Sequence, residues 1–381
     1  MQTMHEHYGA MHALLAQMRA RGGSDLFITA GFPPAIKLDG KLTPLAEAPA
    51  PLDAQQSAGY VRAVMNERQA AEFASSREAN FAISPEGLGR FRVSAFVQMG
   101  QAGMVLRLIN TAIPTLDGLG LPPILQDIVM SKRGLVIMVG ATGCGKSTTL
   151  AAMVGHRNAH SHGHIITIED PVEFIHPHGN CIVTQREVGV DTDDWATALK
   201  NTLRQAPDVI QIGEIRDRDT MDHAIAFAET GHLCLATLHA NNANQALDRI
   251  INFFPEERRQ QLLMDLSLNL KGMISQRLIP SKEGGGRKAA LEILLNSPLM
   301  SDLIFKGQVH EIKELMKKSR EHGMQTFDQA LFDLHEGGAI SYEDALRNAD
   351  SVNDLRLTIK LKGATAPEPP PQTGATKLGL L

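Results

Sequence analysis

The sequence has 381 residues, 43% of them hydrophobic and 21% charged, with a formal net charge of −5 at neutral pH. These values predict a globular protein long enough for two domains, and the acidic balance argues against bulk attraction to nucleic acid. No stretch reaches the length of about 18 apolar residues that a membrane helix needs, and the first twenty residues lack the pattern of a secretory signal.

Residues 1–110 predict one small α+β domain. Residues 53–76 are rich in helix formers, and GGSD at 22–25 ends an earlier amphipathic helix. That first helix is predicted by four apolar residues at helical spacing: Met11, Leu14, Leu15 and Met18. Strands are predicted at LFIT (26–29), at the alternating GRFRVSAFVQ (89–98) and at its expected partner GMVLRLI (103–109).

The second part of the chain has the pattern of an α/β domain. Residues 111–125 are rich in proline and glycine and predict an interdomain linker. Apolar strands then alternate with helices, which is typical of a parallel sheet covered on both faces. The predicted strands are 135–140, 164–170, 208–214 and 233–239. After the turn SKEGGGRK, helical segments extend to about residue 362, and the tail 363–381 is predicted to be disordered.

The segment GATGCGKS matches the phosphate-binding pattern GxxxxGK[ST] without a mismatch. Its glycines let backbone N–H groups point at phosphate oxygens, and a helix that begins near Lys146 adds its positive dipole end. Lys146 is expected to reach the β- and γ-phosphates, and the Ser147 hydroxyl to bind Mg²⁺. A chance match is the alternative, but an apolar strand precedes the loop and a helix follows it. The expected nucleotide-binding residues are Gly140, Ala141, Thr142, Gly143, Cys144, Gly145, Lys146, Ser147 and Thr148.

Two of the apolar strands end in acidic residues, as expected for groups that face a ligand beyond the carboxyl ends of a parallel sheet. Glu214 follows VIQIG and is the candidate to orient or deprotonate an attacking water. The segment IITIEDPVEF supplies Glu169 and Glu173 as further catalytic candidates. Asp170 is the candidate to hold Mg²⁺ through water, although Asp170-Pro171 also fits a plain turn.

Two histidines flank the last predicted strand. His232 and His239 would lie roughly 23 Å apart on one strand, so they cannot share a metal ion. Both are catalytic candidates, His239 the better because it lies at the carboxyl end; two ordinary surface histidines are the alternative. A metal cluster of the other histidines is not favoured, because neither an HExxH helix nor a CxxC pair accompanies them: His156, His160, His162, His164, His176 and His178.

Four blocks occur in the order found in the secretion-type, RecA-like hexameric ATPases of type IV pili. GATGCGKSTT resembles their Walker A motif, TIEDPVEF their Asp box, PDVIQIGEIRD their atypical Walker B motif and TGHLCLATLHANNA their His box. QRLIP, EGGGR, EIL and GMQTFDQAL follow in the family's order. SDLFI and GRFRVSAF resemble the family's N-terminal PAS-like domain, so that the resemblance covers about residues 10–345.

This resemblance implies a PAS-like α+β domain followed by a RecA-like P-loop ATPase domain over 126–362, whose mostly parallel sheet is covered by helices. It implies a homo-hexamer that uses ATP and Mg²⁺ to drive type IV pilus retraction and twitching motility. The implied partners are a PilT-type ATPase and an inner-membrane pilus platform protein. The expected location is the cytoplasmic face of the inner membrane, with membrane contact only through partners and no nucleic acid bound.

Within the family, the chain is more similar to the retraction ATPases than to extension and secretion ATPases, whose tetracysteine motif it lacks. Residues 298–304 (PLMSDLI) stand where PilT carries an AIRNLI-type helix, and they lack its central arginine. Ala206 replaces the acid of the family's LRQDPD. Together with INFFPEERR and the proline-rich tail, these differences favour the accessory, PilU-type branch.

An arginine supplied by a neighbouring subunit is expected to stabilise the charge on the γ-phosphate. Arg90, Arg92 and Arg107 lie on the N-terminal strands where the family places nucleotide-facing arginines; plain surface charge is the alternative. Arg204 and Arg216 are further candidates. Rival interpretations of the whole chain are an interaction partner of a PilT ring whose own hydrolysis is dispensable, an extension or secretion ATPase, and a nucleic-acid translocase.

Overall fold

The structure, a computed structural model, describes residues 2–38, 40–45, 50–109 and 112–362. Its described residues fall into two compact units. The first unit spans Met1–Thr115 and Leu150–Glu214, and the second spans Leu116–Thr149 and Ile215–Leu381. The domain limits predicted at residues 110 and 125 stay predictions, and the predicted tail lies outside the described residues.

Residues up to 109 form helices and an antiparallel sheet. The helices are α1 (Gln2–Ala20), α2 (Ala54–Ala63) and α3 (Glu67–Ser76). The strands are β1 (Asp25–Ile28), β2 (Ala35–Leu38), β3 (Lys41–Pro44), β4 (Glu78–Ile83), β5 (Arg90–Gln98) and β6 (Gln101–Ile109). They pair in the order β3-β2-β1-β6-β5-β4. The predicted first helix and the β5–β6 pair are confirmed.

Residues 112–214 contain α4 (Ile124–Val129), β7 (Gly134–Val139), α5 (Lys146–His160), β8 (Gly163–Glu169), β9 (Cys181–Glu187), α6 (Trp195–Thr202) and β10 (Val209–Ile212). A 3-10 turn at Leu203–Gln205 follows α6. Three of these strands coincide with predicted ones. Strand β9 was not predicted, because its sequence CIVTQRE is half polar and forms no apolar run.

Residues 215–362 begin with α7 (Arg218–Glu229), β11 (Leu233–Leu238), α8 (Ala243–Asn252) and α9 (Glu256–Asn269). A hairpin follows, made of β12 (Leu270–Pro280) and β13 (Arg287–Leu295), with the glycine-rich segment at its turn. The remaining helices are α10 (Pro298–Phe305), α11 (Val309–Lys318), α12 (Phe327–Glu336), α13 (Tyr342–Arg347) and α14 (Val352–Lys362). Arg320–His322 form a second 3-10 turn.

The core of the N-terminal part follows from simple patterning. Strand β5 alternates, so that Phe91 and Val93 are fully buried while Arg92 and Ser94 lie on the opposite face. The buried face of α1 packs into the same core through Met11, Leu15 and Met18. Helices α2 and α3 both begin with capping boxes, Asp53 with Gln56 and Asn66 with Gln69, which satisfy their first N–H groups.

The remaining strands are mostly parallel, as predicted. In the first unit, β8 pairs in parallel with both β10 and β9. In the second unit, the order is β13-β12-β7-β11, and β7 pairs in parallel with β11 and β12. Every residue of β7, β10 and β11 is buried, which explains why their sequences are almost entirely apolar. Among the described helices, none combines the length and apolar character that crossing a bilayer requires.

Candidate active site

The phosphate-binding pattern forms a tight loop in the second unit, between β7 and the start of α5. Gly143 and Gly145 adopt φ values of +76° and +91°, a region that favours glycine. A Cβ atom on Gly145 would lie 2.7 Å from the side-chain nitrogen of Gln276, so a larger residue would also displace that side chain. Because α5 begins at Lys146, the loop leads directly into a helix N-terminus, which suits an anion.

Lys146 is folded back across this loop. Its Nζ donates hydrogen bonds to the carbonyl oxygens of Gly140 and Ala141, at 2.7 and 3.0 Å, and the side chain is buried. Both acceptors are neutral, so phosphate oxygens would be stronger partners for the ammonium group. Ser147 is half-buried in the first turn of α5, where its hydroxyl is an oxygen ligand of the type that Mg²⁺ prefers.

His239 lies beside the phosphate loop within the second unit. Strand β11 pairs with β7 in a register that sets Leu238 opposite Val139, so the residues that follow, His239 and Gly140, are neighbours. His239 and Ala141 line an open cavity of about 400 Å³, together with Ala240, Asn241, Gln245 and Arg249. Arg249 Nη1 donates to the carbonyl oxygen of His239 at 2.9 Å and so fixes the backbone there.

His232 lies at the other end of β11. Its carbonyl oxygen accepts a hydrogen bond from Gly134 N at 3.1 Å, at the first residue of β7. Its ring nitrogen Nδ1 lies 3.0 Å from the Thr230 hydroxyl and 3.2 Å from the Phe227 carbonyl oxygen, at the end of α7. The structure therefore places His239, but not His232, next to the phosphate loop.

Glu169 is a buried carboxyl group at the end of β8 in the first unit. The Thr167 hydroxyl donates to it at 2.6 Å and Gln185 Nε2 at 3.3 Å. Burial raises the pKa of Glu169 to about 7, because it penalises the charged form more than these hydrogen bonds favour it. This carboxyl group therefore changes its protonation state near neutral pH.

Gly213 explains the glycine-glutamate sequence at the end of β10. Gly213 N donates to the Ile168 carbonyl oxygen at 2.8 Å, and a Cβ atom on Gly213 would lie 3.1 Å from the Cα atom of Glu169. Glycine therefore lets the ends of β10 and β8 approach closely, whereas a side chain here would push them apart by a few tenths of an ångström. Glu214, half-buried, follows directly, so the first unit brings Glu214 and Glu169 to adjacent strand ends.

Asp170 and Glu173 are exposed in the segment that follows β8. The Asp170–Pro171 peptide bond is cis. Asp170 is exposed and can therefore meet a hydrated cation, which fits its expected role toward Mg²⁺. Within the described ranges, no group of three histidine, cysteine or acidic side chains is arranged to hold a metal ion by itself.

The three arginine candidates share one face of the N-terminal sheet. Arg90 and Arg92 are two residues apart on β5, and Arg107 lies directly opposite Arg92 on β6. Arg107 Nε binds Asp25 Oδ1 at 2.7 Å, and Arg90 Nη2 lies 3.5 Å from Glu187 Oε2. Among the described residues, no carboxylate lies within ion-pair distance of Arg92. Its charge is therefore the least neutralised of the three.

Two polar residues that support these groups were missed in the sequence. Glu187, buried on β9, contacts Arg90 and also accepts a hydrogen bond from Val172 N at 3.2 Å. Gln276, buried on β12, bonds to Cys144 in the phosphate loop and to Thr149 in the first turn of α5. No local signal could identify Glu187, because β9 itself was not recognised. Gln276 lies in QRLIP, a block that the family resemblance identified without giving it a role.

The buried Glu169 predicts a pH dependence of stability. Its folded pKa of about 7 lies above the ordinary value of 4.5, so the folded state binds more protons in this window and stability falls as pH rises through it. The full loss is about 3 kcal/mol, at 1.36 kcal/mol per pKa unit. Glu169→Gln should remove this loss. We expect thermal midpoints of wild type and variant, measured between pH 5 and 8, to diverge as pH rises.

The Glu169→Gln variant also separates the effect of Glu169 on the pH dependence of stability from that of His176. Burial lowers the pKa of His176 to about 4, so this histidine makes stability fall as pH drops from 6.5, in the opposite sense. His176 is common to both proteins and cancels in the difference between them. Parallel profiles for wild type and Glu169→Gln would show that Glu169 is ionised normally in the folded protein.

Comparisons with known proteins agree on one family. Residues 53–288 match the family described as type II/IV secretion system protein. The chain is 64% identical over 348 residues to the type IV pilus ATPase PilU of Pseudomonas aeruginosa, covering 91% of each chain. It is 41% identical over 336 residues to the retraction ATPase PilT of the same organism, covering 88% of this chain and 97% of the relative.

A solved structure supports the same assignment. The crystal structure of the pilus retraction motor PilT with bound ADP superimposes with a TM-score of 0.84 at 38% identity, covering 90% of this chain and 97% of that one. The predicted fold class, a PAS-like domain followed by a RecA-like ATPase domain, is therefore confirmed. The chain belongs to the type II/IV secretion ATPase family, within its branch of PilT- and PilU-type pilus ATPases.

Proposed function

We propose that this chain hydrolyses ATP to drive type IV pilus retraction, as the accessory ATPase that works with a PilT-type ring. The observation that carries the proposal is the 64% identity to PilU along 91% of both chains, combined with a complete phosphate loop. A relative of this similarity shares more than a fold, because the identity extends over both predicted domains.

Each residue of the candidate site has a proposed role. Residues 140–148 bind the nucleotide, with Lys146 on the β- and γ-phosphates. Glu214 orients and deprotonates the attacking water. Glu169 and Glu173 support Glu214 in this role. His239 contacts the γ-phosphate. His232 lies at the far end of β11 and does not contact the nucleotide, so its role is to support the position of that strand.

The residues present fit a magnesium ion held with the nucleotide. The Ser147 hydroxyl would bind it directly and the exposed Asp170 through water. The ion would offset charge on the β- and γ-phosphates during hydrolysis.

We further propose that six copies form a ring whose nucleotide sites are completed in trans. Arg92 is the best candidate to reach a neighbour's γ-phosphate, because Arg107 and Arg90 already face carboxylates in their own chain. Nucleotide would hold neighbouring protomers together, and its hydrolysis would release them, with residues 113–123 as the hinge. Such a ring would act on an inner-membrane platform protein at the cytoplasmic face of the membrane.

A second candidate function is an interaction partner whose own hydrolysis is dispensable. It is favoured by α10, in which the segment 298–304 lacks the arginine of the PilT helix. Under this alternative the chain would still join PilT-type rings but would not need to hydrolyse ATP there.

Mixed assemblies test the shared site. Lys146→Ala damages the phosphate loop, and Arg92→Ala removes the arginine offered to a neighbour, so each pure variant should lose hydrolysis by about 1,000-fold. If the site is shared, co-expressed assemblies that carry both variants under different tags regain activity, because some interfaces combine an intact loop with an intact arginine. Pure Lys146→Ala and Arg92→Ala assemblies should stay inactive.

Arg68→Ala is the matched control for the arginine. Arg68 is exposed on α3 in the same domain and should leave hydrolysis unchanged. Mixed assemblies no more active than the two pure variants together would argue against sites shared between subunits.

A further inference from the structure

Gln276 lies where β12 passes the phosphate loop. The pairing of β12 with β7 sets Ser275 opposite Val139, so Gln276 comes next to Gly140, the first residue of the loop. A Cβ atom on Gly140 would lie 3.0 Å from the Gln276 carbonyl oxygen, which shows how closely the two backbones approach. The side chain of Gln276 is 4% exposed. A buried primary amide in such a place needs partners for both of its ends.

Both partners belong to the phosphate-binding segment. Gln276 Nε2 donates to the Cys144 carbonyl oxygen at 2.9 Å, and Gln276 Oε1 accepts from the Thr149 hydroxyl at 2.7 Å. The Cys144 carbonyl oxygen can only accept a hydrogen bond. If the Gln276 amide were flipped, its Oε1 would face this carbonyl oxygen, and the two oxygens would repel each other. Gln276 therefore ties the loop to the first turn of α5 in one orientation.

The bond to Cys144 has a consequence for the peptide that follows it. In a trans peptide the N–H group points opposite to the preceding carbonyl group. Holding the Cys144 carbonyl toward β12 therefore aims the Gly145 N–H away from β12. Backbone N–H groups of such loops are the donors that hold phosphate oxygens, so Gln276 controls the direction of one of them.

The steric environment adds to this control. Gly145 has a φ of +91°, and the nearest atom to a Cβ at this position would be the Gln276 nitrogen itself. The Gln276 amide thus occupies the space that a side chain at Gly145 would need. The two side-chain hydrogen bonds span residues 127 and 132 positions apart, so they fix the loop from outside its own segment.

We propose that Gln276 is a positioning residue for nucleotide binding, which presets the Cys144–Gly145 peptide so that the Gly145 N–H donates to a phosphate oxygen. This role rests on the proposed function, since it presupposes that the loop binds ATP and ADP. A preset donor raises affinity because the loop need not reorganise when nucleotide arrives. Losing the tether should weaken ADP binding about tenfold, the scale of one positioned hydrogen bond to a charged group.

The replacement Gln276→Glu gives a specific signature. An ionised glutamate cannot donate to the Cys144 carbonyl and repels it, so binding should be weak at pH 8.5. A protonated glutamate has an O–H donor for Cys144 and a carbonyl acceptor for Thr149, so it reproduces the amide. Affinity relative to wild type should therefore recover toward pH 6, which general damage to the fold would not produce.

The experiment measures dissociation constants of a fluorescent ADP analogue with Mg²⁺ for the full chain between pH 6 and 8.5. We expect about tenfold weaker binding for Gln276→Ala at every pH, and a smaller loss for Thr149→Val, which leaves the bond to Cys144. Gln276→Glu should match Gln276→Ala at pH 8.5 and approach wild type at pH 6. Gln260→Ala and Gln260→Glu, at an exposed position on α9, are the matched controls.

The outcomes separate this role from the proposed function. If wild type binds ADP and Gln276→Ala binds it within twofold, the positioning role is overturned alone. A constant ratio of Gln276→Glu to wild type across the pH range would also overturn it, even if Gln276→Ala fails to fold. If wild type binds neither ATP nor ADP, the proposed function fails and this role fails with it.

Discussion

Lys146→Ala is expected to reduce ATP hydrolysis by about 1,000-fold or more and to weaken nucleotide binding. The Lys146 ammonium lies across the loop on two neutral carbonyl groups, so it is positioned to exchange them for phosphate oxygens. Alanine removes this charge and leaves the glycines of the loop unchanged. Phosphate release by the purified protein and binding of a fluorescent ATP analogue measure the two effects.

Lys200→Ala provides the control, because Lys200 is an exposed cation on α6, outside the loop. Retention of more than a tenth of wild-type hydrolysis by Lys146→Ala would contradict the assignment of the phosphate loop. The same variant decides between the two candidate functions. In a strain that lacks only this protein, restored twitching motility and phage sensitivity with Lys146→Ala would favour the interaction partner with dispensable hydrolysis.

Glu214→Gln is expected to reduce hydrolysis by about 1,000-fold while leaving ATP binding within about threefold of wild type. Glutamine has nearly the same shape as glutamate but cannot take a proton from water. The phosphate loop lies elsewhere in the sequence and is not altered by this change. Single-turnover measurements should therefore show bound ATP that is not converted to ADP.

Glu257→Gln makes the same chemical change at an exposed position on α9 and should have no effect on hydrolysis. If Glu214→Gln kept a tenth or more of wild-type activity, Glu214 would not be the general base. Glu169, at the adjacent strand end, would then be the next residue to replace. A parallel loss of ATP binding would instead indicate that Glu214 supports the fold of the site.

The sequence predicted those parts of the fold whose signals are local. The apolar spacing of α1 and the alternation of β5 reflect burial of one face, and the apolar runs of β7 and β11 reflect burial of both. Strand β9 was not predicted because half of its residues are polar, although it pairs with β8 continuously over seven residues. The hairpin of β12 and β13 was recognised only by its turn and flanking segments.

The residues of the candidate site also divide into those that local sequence patterns predict and those that they do not. The phosphate loop and Glu214 stand in compact patterns that chemistry alone can interpret. Glu187 and Gln276 act through contacts with residues 97 and 132 positions away, which no local pattern reveals. The sequence predicted the alternation of β5 and singled out its arginines, but only the structure shows that carboxylates lie beside Arg90 and Arg107.

The polar composition of β9 has a consequence for how the protein behaves at high concentration. Among the described strands of its sheet, β9 is outermost, and another polypeptide could add itself at such an edge. Part of this edge is already covered, because Val183 N donates to His178 Nδ1 and Glu187 N to Asp191 Oδ2. Thr184, Gln185 and Arg186 follow one another there, and a charged, hydrophilic border discourages such self-association. The polar composition that kept β9 from being predicted therefore also disfavours aggregation through this edge of the sheet.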